Sequence, residues 1–111
     1  LYQDKKITAI FQPHLYTRTR DFYKDFADSL SLLDEVILTE IYPAREQPIP
    51  GVSSRLIYDN LRPGIEKCIC PKEDILNLLS KKSVEVLIVL GAGDLDNYVP
   101  SITQLLEQQS K

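Results

Sequence analysis

Four short apolar runs, each followed by a segment of helical periodicity or by a turn, restrict this chain more than any other feature. The runs are Ile7–Phe11, Glu35–Thr39, Lys67–Cys70 and Val84–Leu90. All are short; the first is rich in β-branched residues and the second and fourth are dominated by Val, Ile or Leu, which favours buried strands over helix segments. Between the first two, Phe22, Phe26, Leu30 and Leu33 recur at helical spacing among charged residues, predicting an amphipathic helix with both aromatics in the core. Ser53 or Ser54 is placed to cap a short helix through Leu56, Ile57 and Leu61, which Arg62-Pro63-Gly64 ends. Pro71 suits the first turn of a third helix carrying Ile75, Leu76, Leu78 and Leu79, and a last helix would bury Ile102, Leu105 and Leu106. Strands alternating with helices predict an α/β fold: an open, mostly parallel sheet of about four strands flanked by helices. Val84–Leu90 is apolar on both faces toward its end and is expected to be central.

At 111 residues the chain is long enough for one cored domain, 1–111. A formal net charge of -3 argues against nucleic-acid binding, which calls for a basic excess or stripe. No run approaches the roughly 18 apolar residues of a membrane span, so no membrane partner is expected. The chain contains no Met and begins at Leu1, and it is expected to be a processed product or a piece of a longer protein. Cys68 and Cys70 are two apart in a strand-like run and face the same way, poorly placed for a disulfide. A metal site would need two further ligands, and the chain has one His, so no metal site is expected; structural thiols in a reducing cytoplasm are.

The chemistry concentrates where the first strand meets its helix. Pro13 ends the strand, and a helix is expected to start near Thr17 or Thr19, either of which is a good cap. Within seven residues lie His14, Tyr16, Thr17, Arg18, Thr19 and Arg20, at the edge where open parallel sheets take ligands. The alternative is an ordinary surface turn with solvated charges. An Arg18 fork beside a helix N-terminus, with Tyr16 and Thr17 alongside, suits a small carboxylate. The Pro-rich stretch Glu40–Ser54 is too long for an incidental loop in so small a domain. Gly91-Ala92-Gly93 follows a strand as a dinucleotide fingerprint would, but the third glycine would fall at Asp96, and Asp94 would repel a phosphate. Asp94 reads either as a helix cap or as a carboxylate for an ammonium, a ribose hydroxyl or a metal-bound water. No Gly-x-x-x-x-Gly-Lys-Ser/Thr loop and no nucleophile elbow is present.

Phe11-Gln12-Pro13-His14-Leu15-Tyr16-Thr17-Arg18-Thr19 resembles the Phe-Gln-Pro-His-Arg-Tyr-Thr-Arg-Thr motif of the UDP-N-acetylmuramate–L-alanine ligase family. Tyr42-Pro43-Ala44-Arg45-Glu46 with Pro48-Ile49-Pro50-Gly51-Val52-Ser53-Ser54 resembles that family's proline-rich loop, and Gly91-Ala92-Gly93-Asp94 its late glycine turn. The resemblance covers nearly the whole chain. It implies the Rossmann-like carboxyl-terminal third of a three-domain enzyme, truncated at its start, without the Asp-Tyr-Gly-His-His-Pro opening and without the central domain's phosphate loop. It implies that the full enzyme uses ATP and Mg2+ to activate the muramate carboxylate of UDP-N-acetylmuramate as an acyl phosphate, which the amine of L-alanine attacks. This is the first step of the cell-wall stem peptide, in the bacterial cytoplasm. ATP and Mg2+ would be held mainly by the central domain, and this segment alone would be inactive. His14, Tyr16 and Arg18 would line the L-alanine site, with Arg18 on its carboxylate; Asp94 and the Tyr42–Glu46 loop, with Arg45 and Glu46, would face the same cleft, and Arg20 is a further candidate for binding substrate. None of these is implied to be catalytic. Leu15 replaces a family arginine; if both arginines of the motif share the carboxylate, a substitute would come from Arg20 or Arg45, or alanine would be bound more weakly. The competing reading is a non-enzymatic α/β binding module that docks partners on the Tyr42–Ser54 loop.

Overall fold

The computed structural model describes residues 6–82 and 85–91. Its elements are β1 (Ile7–Gln12), α1 (Tyr16–Leu30), β2 (Glu35–Leu38), α2 (Arg55–Asp59), β3 (Glu66–Ile69), α3 (Ile75–Ser80) and β4 (Val86–Gly91). A single 3-10 turn, Lys72–Asp74, leads into α3, with Pro71 just before it. The sheet is parallel throughout, in the order β3-β2-β1-β4. Asp94, most of the Gly91–Asp94 turn and the expected last helix lie outside the described residues, as does Val84.

Alternation of side chains along the strands divides the core into two layers. Ala9, Val36 and Leu38 face one side and pack with Ala27 and Leu30 of α1, Ile57 of α2, and Leu61 and Ile65. Ile10 and Ile37 face the other, against Ile75 and Leu79 of α3, with Leu87 and Val89 of β4 joining them. Crossover handedness explains the division. The chain moves β1 to β2 to β3 in one direction, then returns past β1 to β4, and a right-handed connection in the reverse direction falls on the opposite face. The direction of winding therefore changes between β1 and β4, and the carboxyl ends of those strands form the switch point. There Gln12 pairs with Gly91.

Three expectations are corrected. Among the described residues β4 pairs only with β1, so β1 and β2 are central and β4 is half-buried, with Leu90 exposed. The buried stripe of α1 is Thr19, Tyr23, Phe26, Ala27 and Leu30; Phe22 lies off it, 47% exposed. Neither Thr17 nor Thr19 caps α1, which has Leu15 at its cap position and no local side-chain cap. Ser54 holds the cap position of α2 without a side-chain cap, its hydroxyl donating to the Thr39 carbonyl, while the Ser53 Oγ accepts the Arg55 N–H at 3.2 Å.

At the opposite end of the sheet Glu35 is almost buried. Its carboxylate takes Lys82 at 2.6 Å, Lys6 at 3.6 Å and the Thr8 hydroxyl at 3.1 Å. Burial pushes this carboxyl up, but the Lys82 and Lys6 charges and the Thr8 hydroxyl outweigh it, and the net shift is downward.

Candidate functional site: the β1–α1 edge

Buried Pro13 stops β1 and leaves its carbonyl to accept the Tyr42 N–H at 2.8 Å. The Leu15 N–H then donates to the Tyr42 carbonyl at 2.9 Å, making a parallel bridge between His14 and Tyr42. The two rings stack above it, centroids 5.8 Å apart and planes at 23°. Leu15 has φ 71° and ψ 139°, a conformation that costs a side-chain-bearing residue about 1–3 kcal/mol. It is held by that N–H bond and by its carbonyl, which accepts the N–H and the hydroxyl of Thr19 at 3.2 and 2.9 Å.

The first turn of α1 is capped from 30 residues away. The N–H groups of Tyr16 and Thr17 both donate to Oε1 of Glu46, and the Thr17 hydroxyl donates to Oε2. Glu46 reaches this position from a turn closed by its own N–H on the Pro43 carbonyl at 2.8 Å, with Ala44 at φ 52°. Free N–H groups and the positive end of the helix dipole make such a terminus an anion seat. Here the protein's own carboxylate fills it. The Thr17 hydroxyl holds the Glu46 carboxyl below the usual glutamate range, helped by the two backbone N–H groups and the Arg20 charge against a smaller opposing effect of burial.

The residues singled out from the sequence are distributed unevenly. His14, Tyr16 and Glu46 stand together on this edge, joined by Tyr42, which belongs to the Tyr42–Glu46 loop expected to face this cleft but is not among the site residues named from the sequence. Arg18 is on the first turn of α1 but exposed, its guanidinium over the Phe22 ring 5.7 Å from the centroid. Arg20 is also exposed and paired with Asp21 at 2.9 Å. Arg45 is exposed on the turn beside Glu46. Asp94 lies outside the described residues. A shallow open cavity of about 190 Å³ adjoins the edge, lined by Tyr16, Glu40, Ile41, Val52, Ser53 and Ile69 among others. Among the described residues there is no cluster of three or more His, Cys, Asp or Glu suited to a metal ion, and no helix long and apolar enough to cross a membrane.

No family model matches the chain. A UDP-N-acetylmuramate–L-alanine ligase of Phocaeicola vulgatus is 78% identical over 109 residues, covering 98% of this chain and 24% of its own length. In sequence the chain matches one segment of the UDP-N-acetylmuramate–L-alanine ligases. The ligases of Parabacteroides distasonis, at 54% identity over 98% of the chain, and of Porphyromonas gingivalis W83, at 53% over 96%, agree. The chain spans about a quarter of the length of these curated relatives. The stretches that resemble motifs of this ligase family are the ones the fold brings together. Phe11–Thr19 and Tyr42–Glu46 share the His14–Tyr42 bridge and the Glu46 cap, and Gly91, first residue of the third stretch, abuts Gln12.

Proposed function

We propose that this chain is the amino-acid-recruiting, carboxyl-terminal domain of an ATP-dependent ligase that joins L-alanine to UDP-N-acetylmuramate. The observation that carries the reading is the meeting of two motif stretches, remote in sequence, on one rim at the carboxyl ends of the neighbouring strands β1 and β2. A structural turn has no need of an imidazole–phenol stack, a second phenol and several guanidiniums. ATP and Mg2+ do not fit the described residues: the anion seat on α1 already holds Glu46, and no acidic cluster stands near it. They belong in this reading to the rest of the parent protein. The domain's own work is to bind the amino acid, orient its amine and exclude water on closure. A cytoplasmic location goes with this reading, as do the free thiols of Cys68 and Cys70. The docking-module alternative is disfavoured because Tyr42 turns onto His14 of the β1–α1 turn and Glu46 onto the start of α1, instead of outward to a partner.

Since Glu46 fills the backbone anion seat, the amino-acid carboxylate has to be held by a side chain, and Arg18 is the candidate. Engaging it means leaving the Phe22 ring, a cost of about 0.5–1 kcal/mol at an exposed site. The charge-assisted hydrogen bond to the carboxylate is worth about 1.5–3 kcal/mol, so the swing is favourable. Arg18→Ala in the full-length parent is expected to raise the Michaelis constant for L-alanine by roughly 10- to 150-fold, with those for ATP and the sugar nucleotide unchanged. An unchanged constant for alanine would remove Arg18 from the site.

A further inference from the structure

Both oxygens of Glu46 are already engaged, one by two backbone N–H groups and the other by the Thr17 hydroxyl. It is therefore badly placed to greet a substrate, although it stands in the middle of the edge. What it does touch are the two connections that build that edge. On one side is the β1–α1 turn, where Leu15 is held at φ 71°; on the other is the Pro43–Glu46 turn, where Ala44 is held at φ 52°. Neither residue is a glycine, and such conformations persist only where the surroundings over-determine them. The paired backbone bonds at Tyr42 fix one point of contact, and the Glu46 carboxylate fixes a second, four residues further along the loop. Two points of attachment prevent the rotation that one would permit.

We propose that Glu46 is a positioning residue: seated on the N-terminus of α1, it clamps the proline-rich loop to the β1–α1 turn and sets the placement of Tyr16 and of the His14–Tyr42 stack. This rests on the ligase reading for what the edge binds, and on geometry alone for the clamp. By occupying the backbone anion seat, Glu46 also directs the amino-acid carboxylate to side-chain guanidiniums, so the edge discriminates through groups that can move. Tyr16 is the direct link, since its N–H is on Glu46 and its side chain lines the adjoining cavity.

The test uses the full-length parent with Glu46→Ala, Glu46→Gln and Thr17→Val, read by amide hydrogen exchange and by steady-state kinetics. Glu46→Ala is expected to speed exchange in both residues 14–19 and residues 42–47. It should raise the Michaelis constant for L-alanine by about 10- to 100-fold, as a displaced binding group does, and leave those for ATP and the sugar nucleotide alone. Glu46→Gln keeps an acceptor for the backbone N–H groups and should restore most of both. Thr17→Val, which loses one bond of the set, should move both in the same direction by less. Faster exchange with an unchanged constant for alanine would reduce Glu46 to a plain cap and overturn the proposal. Unchanged exchange, with Glu46→Gln as damaging as Glu46→Ala, would also overturn it by making Glu46 a direct substrate contact. A wild-type parent lacking alanine-dependent ATP turnover would sink the ligase reading itself, while the exchange measurements would still decide the clamp.

Discussion

Gly91→Ala tests how tightly the switch point is built. Gly91 closes the β1–β4 ladder opposite Gln12 at φ 151°, and a β-carbon there would lie 3.0 Å from the Gln12 Cβ, 3.1 Å from its carbonyl oxygen and 3.2 Å from its nitrogen. Two of these are backbone atoms of β1, a central strand whose neighbouring residue Phe11 is paired on both sides. The backbone conformation costs alanine about 1–3 kcal/mol. Overpacking against atoms that cannot give adds about 1–3 kcal/mol. The stiffer unfolded chain returns about 0.4–1 kcal/mol. Since Gly91 is the last rung, the strand escapes part of the strain by fraying, and the net loss is expected near 2–3 kcal/mol, a fall in Tm of roughly 8–15 °C at about 4–5 °C per kcal/mol. Gly51 and Gly64 are internal controls. They have φ 80° and 88° with nothing within 4 Å of an added β-carbon, so alanine there meets only the conformational cost, about 1–2 kcal/mol. Thermal and urea unfolding of the three variants side by side is the assay. If Gly91→Ala costs no more than Gly64→Ala, the close approach of β4 to Gln12 is not a constraint, and the reasoning fails.

Glu35→Ala leaves the Lys82 and Lys6 ammoniums without their shared carboxylate, and because both remain partly in water the expected loss is about 1–3 kcal/mol, below that of a fully buried pair. The Glu35 carboxyl is lowered in the folded chain, so its stabilisation is complete above the ordinary glutamate value of about 4.3 and disappears as pH falls through the folded value. Urea midpoints should therefore differ between wild type and Glu35→Ala at neutral pH and converge in acid; a gap that persists in acid would contradict this. The same sign holds for Glu46: the protection factors of the Tyr16 and Thr17 amides, which are corrected for the intrinsic pH dependence of exchange, should be flat above the ordinary glutamate value of about 4.3, fall only below it, and lose this dependence in Glu46→Gln. The Cys70 thiol is pushed up to about 11 by burial, with Cys68, Asp74, Glu40 and Glu73 adding to it. Iodoacetamide labelling of the folded chain near pH 8, read by peptide mass spectrometry, should be about 100-fold slower at Cys70 than in urea, and equal rates would refute the burial.

The layer structure was legible because strand runs and helical periodicities alternate, and the four strands fall within a residue or two of where their apolar runs stand. Lateral position was not. Apolar residues on both faces of β4 report what lies above and below a strand, whereas its place in the sheet depends on which strand it pairs with, a long-range choice that no local pattern encodes. Phe22 misled for a related reason: it shares helical spacing with Phe26, but the true stripe runs through Thr19, Tyr23 and Ala27, one position round the helix. From there Phe22 serves as the rest for Arg18 instead of as core.

At the candidate site, His14 and Tyr16 were found by a local signal, a proline-ended strand running into a helix. The Glu46 cap was invisible to that kind of reading because cap patterns look within four residues of the helix start, and this carboxylate comes from the β2–α2 connection, 30 residues on. A trace of it did exist. A helix beginning at Tyr16 puts Leu15, a residue with no acceptor in its side chain, at the cap position, so the orphan N–H groups had to be satisfied from elsewhere. The long Pro-rich loop carries few carboxylates able to reach them. The same accounting bears on what the edge can bind. In many α/β proteins the first helix after a central strand offers its N-terminus to an anion, and a sequence with Arg and Thr in the first turn invites that assumption. Once Glu46 is counted, the seat is taken. In the proposed reading an anionic ligand on this edge is met by a guanidinium, either Arg18, Arg55 on the wall of the adjoining cavity, or Arg45 carried on the clamped turn, and in the last case its affinity depends on how firmly that turn is held.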